Sequence, residues 1–415
     1  MLSANVNIRE RQPTVLAVVL GLTQILAWGS TYYLPAVLAQ PIALDSGWSP
    51  TLVIGGLSIA LLTAGLASPK VGRLIGRYGG RPVLAGGSVI FASGLLGVAL
   101  AHSKIGYLAG WAVLGLAMAG GLYDAAFATL GRLYGANARA PITLVTIFAG
   151  FAGTICWPLS AVLLGRLGWR GACIVYAALH LILALPTHLL VVPAAPPLIS
   201  RAQRPTDRES SSAREAPALA HRSMLFAMIA TSFTLGAAIT SVMTVHLLTI
   251  LQAHGLSLSG AVTLGAIVGP SQVGARIYES VIGRRFHPTL TFILSGFLMA
   301  GGLIVLLLAF PLVGVGLVLY GGGVGIMTIA RGTLPLALFG PSDYAILLGR
   351  LALPSLIAQA VAPAAAAPLL GHGAGASRTL AILAACSLIN VVLIVALRVA
   401  SVASATSNRV TNLRQ

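Results

Sequence analysis

Charge is what this chain lacks first. Asp, Glu, Lys and Arg together make up 8% of its 415 residues, against roughly 25% in a soluble domain, so water alone cannot solvate its surface. Only eight residues are acidic, and none form the paired carboxylates of an acid–base catalyst. Its three cysteines, Cys156, Cys173 and Cys386, fall in apolar runs without CxxC spacing. They read as small core residues, which excludes a disulfide framework and a thiolate metal site. The chain also has no metal-spaced His/Cys cluster, no glycine–lysine phosphate loop and no nucleophile elbow. Neither catalysis nor any metal or other cofactor is therefore expected. An ATP-driven pump or a receptor would carry a soluble domain, yet the longest polar stretch covers only 193–222.

Apolar sequence fills the rest. Hydrophobic residues make up 57% of the chain and glycines number 48, with a mean hydropathy of +0.94. The relevant unit is the spanning helix of ~20 apolar residues, with glycines where backbones approach closely. Apolar segments recur at 14–38, 51–72, 82–101, 106–131, 141–165, 171–192, 223–250, 257–282, 288–310, 312–338, 345–369 and 378–399, twelve in all. Arg9 and Arg11 precede the first, and Val37 to Ala39 resembles a signal cleavage site. That run is too long for a signal peptide, and uncleaved insertion is expected.

The net charge of +17 does not mark a nucleic-acid binder, because the basic residues sit in short clusters between apolar runs. With the N-terminus inside, eighteen fall in cytoplasmic segments, among them Arg73, Arg77, Arg81, Arg132, Arg139 and Arg222. Only Lys104, Arg166, Arg170 and Arg378 fall outside, a strong positive-inside bias. Both termini are thus expected in the cytoplasm, in a cell (inner) membrane. The polar stretch 193–222 reads as a flexible cytoplasmic linker between two six-helix bundles, 1–192 and 223–415. The halves resemble each other weakly: Thr129 to Gly135 closes the fourth segment much as Thr333 to Gly340 closes the tenth. The expected fold is all-α and integral to the membrane, with twelve transmembrane helices in two pseudo-symmetric bundles and a midplane site between them.

The loop after the second segment carries the most specific motif. Gly72, Arg77, Gly79 and Arg81 resemble the G-x-x-x-D-R-x-G-R-[RK] loop of the major facilitator superfamily, with Gly76 at the acidic position. The glycines permit a tight turn, and the arginines are expected to hold the cytoplasmic face against helix ends. Glu279 stands near the equivalent acidic place in the second half. Gly269 to Arg276 resembles the eighth helix of monocarboxylate transporters, where an acid and an arginine stand four apart. Here the pair is Gln272 and Arg276. The oxalate–formate antiporter branch places basic residues in helices 8 and 11. Leu338 to Gly340 followed by Tyr344 is similar to its lead into helix 11, with Arg350 as the basic residue about a turn early.

Charged groups inside spans cost at least ~2.5–3.5 kcal/mol each and mark function by default. The candidates are Asp124, Arg276, Glu279, Arg331 and Arg350, three of the five cationic, the sign expected of a site for anions. Arg276, after the Gly269–Pro270 break, either clamps a substrate carboxylate or pairs with Glu279 three residues on. Asp124 is open to three readings: a proton site, a gate paired with Arg331, or a helix-end pair with Arg132. For Arg331 and Arg350 the alternative is snorkelling to the interface. Gln24, Trp28, Thr31, Tyr32 and Tyr33 give the first span unusual polarity, and Trp157 lies beside Pro158 in the fifth. Trp28, Tyr32 and Trp157 either wall a substrate cavity or pack ordinarily. His246 is a proton site or a satisfied buried histidine.

These residues point to a secondary transporter of a small organic anion, a carboxylate, working by alternating access with proton coupling or anion exchange. The alternative is a proton-driven exporter of amphipathic compounds. Expected partners are the substrate, protons or a counter-anion and the lipid bilayer, with the protein a monomer.

Overall fold

The computed structural model describes residues 4–194, 212–308, 312–370 and 375–413. Within them the chain is helical, and the helices begin and break where local chemistry dictates. α1 (Ala4–Gly29) and α2 (Pro35–Ser46) form the first span, interrupted at 30–34 and resumed with Pro35 at the first helical position. The Val37–Ala39 stretch lies inside α2. α3 (Pro50–Tyr78) starts at Ser49, whose hydroxyl accepts from the Leu52 N–H, again with proline next. α4 spans Gly80–Ala99. α5 (Lys104–Gly121) and α6 (Tyr123–Tyr134) make the fourth span, broken at Leu122.

α7 (Arg139–Ala149) and the first part of α8 (Ala152–Leu179) make the fifth span. α8 reverses at Gly168, whose φ of 68° suits a residue without Cβ. The sixth span then continues through a π-helical turn at His180–Ala184 into α9 (Leu185–Leu190). In the second half come α10 (Ser212–Ala253), the broken pair α11 (Leu258–Gly265) and α12 (Val268–Val281), then α13 (Pro288–Leu308), α14 (Val313–Phe339), α15 (Tyr344–Leu370) and α16 (Gly375–Leu413). Among the described residues, eight continuous stretches are long and apolar enough to cross a membrane. One of these, Lys104–Leu190, holds three spans. The interrupted first and eighth spans complete twelve, in two halves of six.

The expected linker lies mostly outside the described residues, and its last part belongs to α10, which starts at Ser212. The repeat between halves is physical: α6 and α14 end on Gly135 and Gly340, with φ of 55° and 77°. Each half has its own apolar core, around Tyr107, Trp111 and Tyr176 in the first and Phe233, Phe292 and Tyr320 in the second.

Two helices bring the halves together along their length, α3 and α15. Their contact is backbone on backbone. A Cβ at Gly72 would lie 2.4 Å from the Ala345 carbonyl oxygen, and one at Gly349 would lie 2.4 Å from that of Ser68. Elsewhere the halves meet mainly at the end that carries the basic clusters, here termed the basic face. There α6 packs on α15 and α7 packs on α12 and α14. No comparable packing joins α2 or α8 to α10 or α11 among the described residues. The halves are therefore drawn together at the basic face.

Candidate functional site

The side chains that matter most sit beside the helix interruptions. Broken spans carry backbone groups that are tolerable only against protein or a wet cavity, and four such breaks converge here. They bring Tyr32 and Tyr33 from the first span, Tyr123 from the fourth, Thr146 from the fifth and Gln272 with Arg276 from the eighth. The eighth span breaks at Ala266–Ile267, and Gly269 and Pro270 lie in the first turn of α12, slightly later than the break they were expected to make.

Arg276 is 4% exposed. Its Nη1 donates to the Thr146 carbonyl of the opposite half at 2.8 Å. Nη2 reaches Gln272 Oε1 and Thr328 Oγ1 only at 3.4 Å each, and Nε finds no acceptor among the described residues. Tyr123 lies beside the guanidinium and Tyr33 within its electrostatic reach. Trp28 ties these rings together, its centroid 4.9 Å from Tyr123 and 5.5 Å from Tyr32. Its indole N–H donates to Gln24 Oε1 at 3.2 Å, and the Gln24 amide donates to the Gly121 carbonyl at the α5–α6 break at 2.6 Å. Tyr32 in turn lies beside Thr244 of α10.

From Tyr33 the aromatic wall runs outward to Trp157, 6.0 Å away in an edge-on contact. Trp157 is 47% exposed and lines a groove of about 550 Å³ with Ala36, Val37, Gly153, Thr154 and Pro158. Trp28, Tyr32 and Trp157 thus belong to one wall.

Both intramembrane carboxylates bridge the halves. Arg331 of α14 donates to Asp124 of α6 through Nε at 3.0 Å and Nη2 at 2.8 Å. Arg139 of α7 donates to Glu279 Oε1 of α12 at 2.8 Å and to the Gly283 carbonyl at 3.0 Å. Glu279, 2% exposed, also accepts from Thr291.

Several expectations are corrected by this geometry. Arg276 does not pair with Glu279, because Arg139 from the other half takes that carboxylate. Asp124 binds Arg331 and not Arg132, whose Nη1 donates to the Gly76 carbonyl. Arg350 is exposed on α15 and forms no hydrogen bond among the described residues. It follows Gly349, which faces α3, so the helix turns its side chain away from that contact. In the loop motif Gly72 and Gly79 shape the backbone as expected. Arg77 lies over the ring of its neighbour Tyr78, and among the described residues Arg81 makes no hydrogen bond to a helix end. His246 meets the Pro363 carbonyl at 2.9 Å, a satisfied partly buried histidine.

Sequence reasoning missed Tyr123 and Arg139. Tyr123 stands two residues past the Gly120–Gly121 pair inside an apolar run, a signal for the break at Leu122. Arg139 lies between apolar segments, where sequence alone marks it only as a topological charge.

Twelve broken and continuous spans in two halves of six, with ion pairs joining the halves at one end beside a buried arginine, define a polytopic membrane protein. The profile of the Major Facilitator Superfamily matches residues 20–363. The chain belongs to this superfamily and is a multi-pass membrane transporter. Among solved structures it is similar to the human organic anion transporter MFSD10 (TETRAN), with 17% identity, a TM-score of 0.70 and coverage of 93% of this chain and 99% of that one. It is also similar to the proton:xylose symporter XylE, at 14% identity and TM-score 0.70, covering 92% of this chain and 94% of that one. The E. coli fucose:proton symporter FucP matches at 14% identity and TM-score 0.70, over 93% and 99% of the two chains. At these identities the likeness shows the fold. No curated protein matches by sequence.

Proposed function

We propose that this transporter carries a small organic anion, a carboxylate, by alternating access, with Arg276 as its anchor. One observation carries the reading. Among the described residues, Arg139, Arg276 and Arg331 lie buried or half-buried where α6, α7, α12 and α14 meet, and the carboxylates of Glu279 and Asp124 satisfy Arg139 and Arg331 but not Arg276. Arg276 keeps its Nε/Nη2 edge without a carboxylate, the edge with which Arg331 grips Asp124. A buried guanidinium is costly unless paired, and a planar carboxylate matches that edge in two hydrogen bonds. Gln272, Tyr123 and Thr328 would complete the polar contacts, and Trp28, Tyr32, Tyr33 and Trp157 the apolar wall. The name of the similar human organic anion transporter agrees in sign of charge.

In this reading the Asp124–Arg331 and Glu279–Arg139 pairs are gates that close the basic face, and the conformation is open away from it. The basic face is cytoplasmic and carries both termini, the membrane is the cell (inner) membrane, and the working unit is a monomer. Coupling is to protons or to a counter-anion. The apolar groove beside Trp157 favours a second reading, export of amphipathic compounds.

Binding measurements on purified protein test the first reading. Carboxylates should stabilise the wild type, by ~2.7 kcal/mol at a hundred times the dissociation constant. Arg276→Ala should weaken their binding roughly tenfold to hundredfold, from loss of a charge-assisted bond of ~1.5–3 kcal/mol. Arg276→Lys should recover little, since lysine offers a point charge. Wild-type carboxylate affinity in folded Arg276→Ala would refute the anchor. Stabilisation by lipophilic cations alone would favour the second reading.

A further inference from the structure

The second half buries a hydroxyl that the site described above does not use. Tyr320 of α14 is 3% exposed, and its hydroxyl makes no hydrogen bond among the described residues. A buried polar group left unpaired is unusual, and a phenylalanine would fill the same space without one. Thr240 of α10 is its polar neighbour, yet the Thr240 hydroxyl donates to the Gly236 carbonyl at 2.8 Å. Across the interface, Tyr32 of the first half lies within its electrostatic reach. Among the described residues no arginine, lysine or carboxylate acts on it.

Local sequence holds the ring there. Tyr320 is followed by Gly321, Gly322 and Gly323. A Cβ at Gly321 would lie 2.8 Å from the Val268 carbonyl oxygen of α12, and one at Gly323 would lie 2.7 Å from the Met299 nitrogen of α13. Wedged between two backbones, α14 keeps one rotation about its axis. Val324 and Thr328 follow Tyr320 on the same face at steps of four, and Thr328 is the hydroxyl that Arg276 Nη2 meets. The eight-residue spacing sets Tyr320 about 12 Å along the helix from Thr328. Aromatic rings connect the two ends: Tyr33, within reach of Arg276, meets Tyr32 edge-on at 5.6 Å.

We propose that Tyr320 is a second recognition point for the substrate, donating a hydrogen bond to an uncharged oxygen at the far end of an aromatic carboxylate. The inference rests on the function proposed above, in which Arg276 takes the carboxylate. The ring wall then receives the body of the molecule, and aromatic rings pack well against one another edge-on or offset. With no cation beside Tyr320 to balance a second carboxylate, the far group is a hydroxyl or a carbonyl. An acid of two or three carbons is too short to meet both residues. Tyr32 and Thr244, of opposite halves, lie together beside Tyr320. Movement of one half against the other therefore uncovers the hydroxyl.

Binding of phenylpropionate and of its para-hydroxy derivative to purified full-length protein tests this. The wild type should hold the hydroxylated acid more tightly by roughly threefold to tenfold, the effect of about one hydrogen bond. Tyr320→Phe should bind the two acids alike, and without ligand it should melt no lower than the wild type, since its lost hydroxyl had no partner. Equal wild-type affinities, or a preference that survives in Tyr320→Phe, overturns the proposal. So does a lowered melting temperature of ligand-free Tyr320→Phe, which would show the hydroxyl already paired. Arg276→Ala should weaken both acids by the same factor. If Arg276→Ala binds both normally, the carboxylate anchor fails and this proposal with it. Failure confined to the Tyr320→Phe measurements leaves the anchor standing.

Discussion

Arg331 and Asp124 meet across the two halves through two parallel hydrogen bonds, Nε to Oδ1 at 3.0 Å and Nη2 to Oδ2 at 2.8 Å. Both side chains remain about one-fifth exposed, at 24% and 20%. A pair so placed can break when water enters from the basic face. In the function proposed above it serves as a latch between the two halves.

Asp124→Asn should loosen this latch. Cysteines placed near Tyr134 and Pro341 should become more reactive from the basic face, and exchanging the two residues (Asp124→Arg with Arg331→Asp) should restore the wild-type labelling. If Asp124 also takes up the coupled proton, Asp124→Asn will flatten the pH profile of transport. A normal profile with faster labelling would leave it the role of a gate alone.

The Arg139–Glu279 pair is more deeply buried on its acidic side, at 3% side-chain exposure. Removing one partner of a buried pair costs about 3–5 kcal/mol, because the other charge is left unpaired. Arg139→Ala should therefore lower the melting temperature sharply, and adding Glu279→Gln should recover much of the loss. Equal melting temperatures for the single and double variants would mean that Glu279 finds other partners.

Gly72 and Gly349 hold α3 and α15 at backbone contact. Gly72→Ala introduces a methyl at 2.4 Å from the Ala345 oxygen, an overpacking cost of ~1–3 kcal/mol. Because Gly349 lies at the same crossing, Gly349→Ala should be less damaging in the Gly72→Ala background than alone. Disulfide trapping between cysteines on α3 and α15 reads the spacing directly.

At the opposite end of the first span, the Trp169 indole donates to Asp45 Oδ2 at 2.9 Å and Arg170 pairs with the same oxygen. The indole hydrogen bond first, and then the guanidinium, hold the Asp45 carboxyl below the usual carboxylate range. A depressed carboxyl contributes stability that is present above its unfolded value, about 3.9, and is lost as pH falls through the folded value. Asp45→Asn should thus match the wild type below about pH 3 and fall behind it at neutral pH. A constant difference across that range would show that the carboxylate charge is not involved.

The sequence by itself determined the membrane class and the number of spans, because burying ~20 apolar residues in lipid is a local property that any window of the chain displays; several helices run on past the apolar segments, α2 to Ser46, α3 to Tyr78 and α16 to Leu413. It also singled out Asp124, Glu279, Arg276 and Arg331, since a charge within an apolar run is conspicuous whatever its partner. Which charges pair was decided only by the tertiary structure. Spacing along one helix suggested Glu279 for Arg276, yet the packing of α7 on α12 delivers Arg139, 140 residues away in sequence. The same packing gives Arg276 the Thr146 carbonyl and turns Arg350 outward by one step of the helix past Gly349. The aromatic wall formed likewise, from breaks at Ser30–Leu34 and Leu122 whose positions follow glycines and a proline but whose convergence does not. Helix periodicity records which residues are apolar. Which face of one helix meets which face of another depends on how two six-helix bodies close on each other, a property of no single segment.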